Sequence, residues 1–162
     1  MVTALKTKEE LFQLTSSQSG ITKANGIAAI WSENYKYKVP IGWTFIFKPG
    51  HTFSASLNNG TSSPAASGTK LAGDYVDTDK VRITVRNADQ TERKTILQET
   101  IYKRVQESAD RDKMCRLDVN EPVAVSAGGW VVIETYATTA LANTDADSWF
   151  ILYCDRVRQG II

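Results

Sequence analysis

Between Lys38 and Leu57 the chain reads KVPIGWTFIFKPGHTFSASL. Trp43, Phe45 and Phe47 fall on one face of an extended strand and Thr44 and Lys48 on the other. Pro49-Gly50 then breaks the run, and Phe53, Ala55 and Leu57 resume the alternation. This pattern predicts a half-buried strand followed by another, and Ile46, apolar on the otherwise polar face, implies that this face is covered in part. Residues 27–31, with Ile27, Ile30 and Trp31, predict a short strand leading into the main one. Val81, Ile83 and Val85 alternate with Arg82, Thr84 and Arg86 as a one-sided strand, and residues 87–91 form a hairpin-like turn. In residues 93–107 the apolar positions fit either a helix or a strand with a bulge. The neighbouring strand at 81–86 supplies a pairing partner, so the strand is favoured. Residues 114–119, 122–126, 130–138 and 149–158 complete the set. Trp130–Ile133 and Trp149–Leu152 are apolar on both faces and are predicted as central strands, buried on both sides or covered by a second subunit. Short strands in this succession, without a strong internal helix, indicate a sandwich or a barrel.

The two segments that depart from this pattern are polar. At the start, Thr7 and Glu10 have the spacing of a capping box ahead of Leu11, Phe12 and Leu14, which predicts a short helix. Helices this short are marginal without packing, so residues 1–20 read as a helical or extended arm preceding a single β-domain over 21–162. Its Leu11, Phe12 and Leu14 are candidate interface residues, since an arm must rest on its own body or on a neighbour. The second segment, residues 58–73, is nearly all Gly, Ser, Thr, Ala and Asn, too poor in apolar groups to pack, and reads as a surface loop that orders against a partner.

Composition narrows the function mainly by exclusion. Lys and Arg number 19 against 18 Asp and Glu over 162 residues, so no global field draws in nucleic acid or an anionic membrane. A basic cluster around Arg82, Arg86, Arg93, Lys94, Lys103 and Arg104 is interleaved with Glu92, Glu99 and Glu107 and reads as solvated strand faces. No nucleic-acid partner and no membrane partner are expected. The N-terminus lacks a signal-peptide pattern, and no apolar run approaches the ~18 residues of a membrane span, so synthesis in a cytoplasm is expected.

His51 is the sole histidine, which leaves too few imidazoles for a metal-binding cupin. No G-x-S-x-G occurs and neither Cys115 nor Cys154 is flanked by glycines, so a hydrolytic triad has no nucleophile motif; the two cysteines read as buried free thiols. Asp74, Asp77 and Asp79 form one acidic cluster. Asn143, Asp145 and Asp147 open like a calcium loop, but Ser148 stands where glycine is needed and Cys154 where glutamate is needed. No catalytic residue, metal ligand or cofactor is assigned.

The strand succession, the aromatic VPIGWTFIF run and the closing WFILYCDRVR resemble viral-type jelly rolls, in particular the auxiliary capsid proteins (decoration or cement proteins) of tailed phages. The resemblance spans about residues 30–158 and is one of pattern. It implies an all-β, antiparallel jelly-roll-like sandwich. It also implies a non-enzymatic virion protein that forms a homotrimer or similar oligomer, binds the major capsid protein and reinforces the outside of an icosahedral shell. The competing expectation is a carbohydrate- or receptor-binding β-sandwich module. It would use exposed aromatics, for which Trp31, Tyr35 and Tyr37 are the candidates, and these three are candidate interface residues in either reading.

Overall fold

A computed structural model describes residues 4–56, 78–100, 115–136 and 149–161. Leu57, the loop at 58–73, the far part of the predicted strand at 101–107 and the polar stretch at 138–147 lie outside the described residues. Within them the chain is all-β. The strands are β1 (Ala4–Thr15), β2 (Ile21–Lys23), β3 (Ser32–Lys38), β4 (Trp43–Phe47), β5 (Thr52–Ser56), β6 (Lys80–Arg86), β7 (Arg93–Thr100), β8 (Cys115–Arg116), β9 (Val123–Val125), β10 (Trp130–Tyr136) and β11 (Trp149–Ile161).

Two antiparallel sheets form. In the first, β1 runs along residues 151–161 of β11. On the opposite edge of β11, β4 pairs with residues 155–158 and β5 with 149–152, so β4 and β5 are one line of chain interrupted at Lys48–His51. Gly50 takes φ +88 in that interruption, a left-handed conformation that glycine adopts freely. β9 continues the sheet beyond β4, and β8 beyond β5. The second sheet has the order β2-β3-β10-β6-β7. With β4–β5 taken as one strand and the short β2 and β8 set aside, eight principal strands remain. The first sheet then reads first, eighth, third, sixth, and the second reads second, seventh, fourth, fifth. That is the double Greek key of a jelly roll.

The alternation seen in the sequence builds the core. Phe45, Phe47 and Phe53 are wholly buried from the first sheet, and Val81, Ile83, Val131 and Ile133 meet them from the second. Aromatic edges interlock across the interface: Tyr35 meets Phe150 with ring centroids 5.0 Å apart, and Tyr37 stacks on Phe45 at 5.7 Å. Trp43 packs half-buried at the margin of this cluster. Ile96 and Leu97 are both buried although adjacent, because β7 carries a bulge there: Ile83 lies opposite Leu97, and Thr84 lies opposite Thr95.

Three local expectations are corrected. Residues 7–14 form no helix. They lie within β1, where Phe12 and Leu14 share the inward face and a long backbone ladder to β11 replaces the few bonds of a marginal helix. Residues 27–31 are a turn rather than a strand. The Ile27 amide donates to Ser32 Oγ at 2.8 Å and Ala29 takes φ 60, so the strand starts only at Ser32. β6 is not one-sided, because Thr84 and Arg86 on its outer face are also buried, at 4% and 2% exposure. The two central strands differ as well. Val131, Val132 and Ile133 are buried, whereas β11 leaves Trp149 exposed and Ile151 half-exposed on its outer face.

Candidate assembly surfaces

Asp155 is the best-built polar site in the first sheet. Both strands flanking β11 become irregular beside it: β1 bulges between Glu9 and Phe12, and the β4–β5 line loops out at Lys48–His51. The two excursions bring the Leu11 amide to Asp155 Oδ1 at 3.2 Å and Lys48 Nζ to Oδ2 at 2.5 Å. Leu11 takes φ 52 to make this bond. Burial of the carboxyl pushes its pKa up, but the Lys48 ammonium and the Leu11 amide outweigh that and hold it below the ordinary value.

His51 stands 3.5 Å from the same carboxylate through Nε2, while its Nδ1 accepts the Lys48 amide at 3.1 Å. Burial lowers its pKa, with Asp155 working in the opposite direction. Both ring nitrogens face protein groups, which leaves no free nitrogen to serve as a base. Cys115 and Cys154 are free buried thiols, and burial pushes the Cys154 thiol up to about 12, far from a reactive thiolate. Of the acidic clusters, Asp79 is buried, whereas Asp74, Asp77, Asn143, Asp145 and Asp147 lie outside the described residues.

The outer face of the second sheet carries a second network. Arg82 makes a two-pronged pair with Glu134, Nε to Oε2 at 3.0 Å and Nη2 to Oε1 at 2.9 Å, and Thr84 Oγ1 donates to Oε2 at 3.1 Å. Arg86, its side chain fully buried, reaches Glu33 at 2.7 Å and Gln90 at 2.8 Å. Arg82 and Arg86 of the basic cluster read from sequence are therefore spent on internal pairing, and Arg82 also covers the face of Trp31 at 4.0 Å.

The six candidate interface residues separate accordingly. Leu14, Tyr35 and Tyr37 are 1%, 1% and 5% exposed; they are core residues, because each sits on an inward position of β1 or β3. Phe12 is half-buried, in edge contact with Phe45 and beneath the Arg156 guanidinium at 3.8 Å. Trp31 is half-buried between Arg82 and Tyr136. Leu11 is the one that stands out in solvent, at 61% exposure. Sequence reasoning missed four further exposed large apolar residues among the described residues: Ile27, Ile30, Ile41 and Trp149. A strand reading of 27–31 hid the first two, and Ile41 between Pro40 and Gly42 carried the turn signal that would have placed it outside. A shallow depression of about 480 Å³ adjoins this last region, lined by Trp43, Ile46 and Val157 among others.

No family model matches the sequence, and no curated protein matches it. Among solved structures, the chain is similar to VP17, a capsid protein of bacteriophage P23-77, with a TM-score of 0.57 and 9% identity over 96% of this chain and 99% of that one. It is also similar to the VP16-VP17 complex of the two major capsid proteins of the same phage, with a TM-score of 0.59 and 8% identity over 96% and 99%. The likeness is one of fold, and it extends over nearly the whole of both chains.

Proposed function

We propose that this protein is a structural subunit of a viral shell, with no catalytic role, that works by binding other capsid proteins. The carrying observation is the jelly roll itself, matched end to end with phage capsid proteins and not merely in one sheet. The side chains support the reading. His51, Asp155, Arg82, Arg86 and Glu134 are committed to holding strands together, while isolated apolar side chains are left at turns and on the outer face of β11. A carbohydrate-binding module is the weaker reading, since Tyr35 and Tyr37 are in the core and Trp31 is covered by Arg82.

The similar structure is a complex of two major capsid proteins, which favours a lattice-forming subunit over an exterior cement protein. The cement role, with a homotrimer seated outside the shell and the protein made in the host cytoplasm, is the second form of this proposal. Leu11, Ile27, Ile30, Ile41 and Trp149 are the proposed contact residues, and Phe12 and Trp31 flank them. The test is sedimentation of the purified chain over rising concentration, beside variants Ile27→Glu, Ile41→Glu and Trp149→Glu. Concentration-dependent assembly that the variants weaken while their circular dichroism stays unchanged supports the proposal. A chain that stays monomeric at all concentrations and binds no shell protein contradicts it.

A further inference from the structure

The two sheets are laced together along one side and part further on. The Leu117 amide donates to the His51 carbonyl at 2.7 Å, and the next amide, Asp118, donates to the Ile96 carbonyl of β7 at 2.8 Å. Toward the turn at 87–92 the sheets separate, and a cleft of about 550 Å³ opens between β9 and the tip of the β6–β7 hairpin. One wall is five consecutive residues, 123–127, which form β9 and its continuation. The one strand paired with β9 among the described residues is β4, so the other backbone edge of β9 faces the cleft. Across from it stand Val85, Ala88, Arg93 and Lys94.

The cleft is rigidly built. At Gly129 a Cβ would come within 2.6 Å of Val125 Cγ1 and 2.8 Å of the Arg86 carbonyl oxygen, so the chain leaving β9 is already pressed against β6 and has no room to close the gap. The hairpin tip is pinned by Asn87, whose side-chain carbonyl accepts the Glu92 amide at 3.0 Å and whose side-chain amide donates to Thr91 at 3.1 Å.

We propose that this cleft receives an extended segment of a neighbouring shell subunit, added as a strand along the edge of β9 that faces it. The identity of the partner rests on the function proposed above; the site does not. A strand residue within a sandwich fills about 160 Å³, from a rise of ~3.3 Å, a strand spacing of ~4.8 Å and a sheet spacing of ~10 Å, so the cleft holds about three or four residues. An unpaired edge is a ready template for main-chain hydrogen bonds, and pockets at alternate positions set the side-chain preference. Val85, Val123 and Val125 call for small apolar side chains turned inward. The rim is cationic: among the described residues lining the cleft, Arg93 and Lys94 are exposed with Glu92 as the one acidic side chain, while the charge of Arg86 is met by Glu33 and Glu134. The incoming strand is therefore apolar at alternate positions and acidic between them.

The test is a titration of the isotope-labelled intact protein with three blocked peptides, followed by amide chemical shifts. The peptides are Val-Glu-Val-Glu-Val, Val-Lys-Val-Lys-Val, and a backbone N-methylated form of the first. The expected result is saturable shifts confined to residues 85–94 and 123–129 with the acidic peptide, binding ~ten-fold weaker with the lysine peptide, and none with the N-methylated form. Ala127→Trp and Ala88→Trp, both at exposed positions, fill the cleft and abolish the shifts without moving the urea midpoint. No shifts, shifts elsewhere, equal binding of the N-methylated peptide, or unimpaired binding by both filled variants would overturn the inference. Peptide binding by a protein that is absent from any shell would sink the function proposed above and leave the cleft assignment standing. A shell protein that ignores the peptide does the reverse.

Discussion

Replacing Asp155 should loosen both edges of β11 at once. The carboxylate is 2% exposed and serves as the acceptor for the Leu11 amide and the counter-ion for Lys48. Asp155→Ala leaves the Leu11 amide without its acceptor, at a cost of ~1–3 kcal/mol. The Lys48 pair adds no more than ~1 kcal/mol, because the lysine side chain is 37% exposed and water screens it. The alanine variant is therefore expected to lose about 1–4 kcal/mol, and at ~2–4 °C per kcal/mol for a chain of this size its melting temperature should fall by roughly 2–16 °C. Asp155→Asn keeps an oxygen for the amide and loses only the charge, so it should fall between the alanine variant and the parent. Urea unfolding with linear extrapolation measures all three. The pH dependence provides a second check. A carboxyl whose pKa is lower folded than unfolded contributes stability above its unfolded value, ~3.9, and loses it as the pH falls through the folded value. The gap between parent and Asp155→Asn should thus be full at pH 7 and shrink below about pH 4. A loss under ~0.5 kcal/mol for Asp155→Ala, or a gap that does not change with pH, would refute the role given to this residue.

Three further outcomes follow from the packing. Phe45→Ala removes a wholly buried ring in contact with Phe12 and Tyr37 and should cost ~3–5 kcal/mol by urea unfolding; a cost below ~1 kcal/mol would place Phe45 at the surface. Gly129→Ala must displace Val125 and two carbonyl oxygens and should cost ~1–3 kcal/mol, which thermal unfolding will report. Cys115 and Cys154 should resist a thiol reagent in the native protein at pH 8 and react once urea unfolds it, since both are buried and burial holds the Cys154 thiol near 12; rapid native labelling of both would contradict the assigned burial.

Much of the fold was legible because period-two alternation is local. Phe45, Phe47, Phe53, Val81, Ile83 and Val85 could be placed in the core one residue at a time, and the bulge in β7 followed from two adjacent apolar residues beside a strand that needed a partner. Pairing with distant chain is what the sequence hid. Thr7 to Glu10 satisfy a local helix signal, and only β11, more than a hundred residues away, turns them into a strand. The Asp155 site was hidden for the same reason, since Leu11, Lys48, His51 and Asp155 meet only when two strands bulge toward a third. The outer face of β6 looked solvated because Arg82 and Arg86 are charged, yet Glu134 from the adjacent β10 and Glu33 from β3 beyond it neutralise them. The candidate interface, drawn from the apolar residues of the arm and the aromatics at 31–37, therefore took in the buried Leu14, Tyr35 and Tyr37 and passed over the isoleucines of two turns.

If the chain is a shell component, its stoichiometry in virus particles will show it. Particles are purified from the cells in which the chain is made, their proteins are quantified by mass spectrometry, and density for the jelly roll is sought by electron cryo-microscopy. The expected result is a copy number set by icosahedral symmetry, with the jelly roll repeated in the shell and its turns carrying Ile27, Ile30 and Ile41 against neighbouring subunits. Absence of the chain from purified particles, or its presence in a few copies unrelated to the symmetry of the shell, would contradict it.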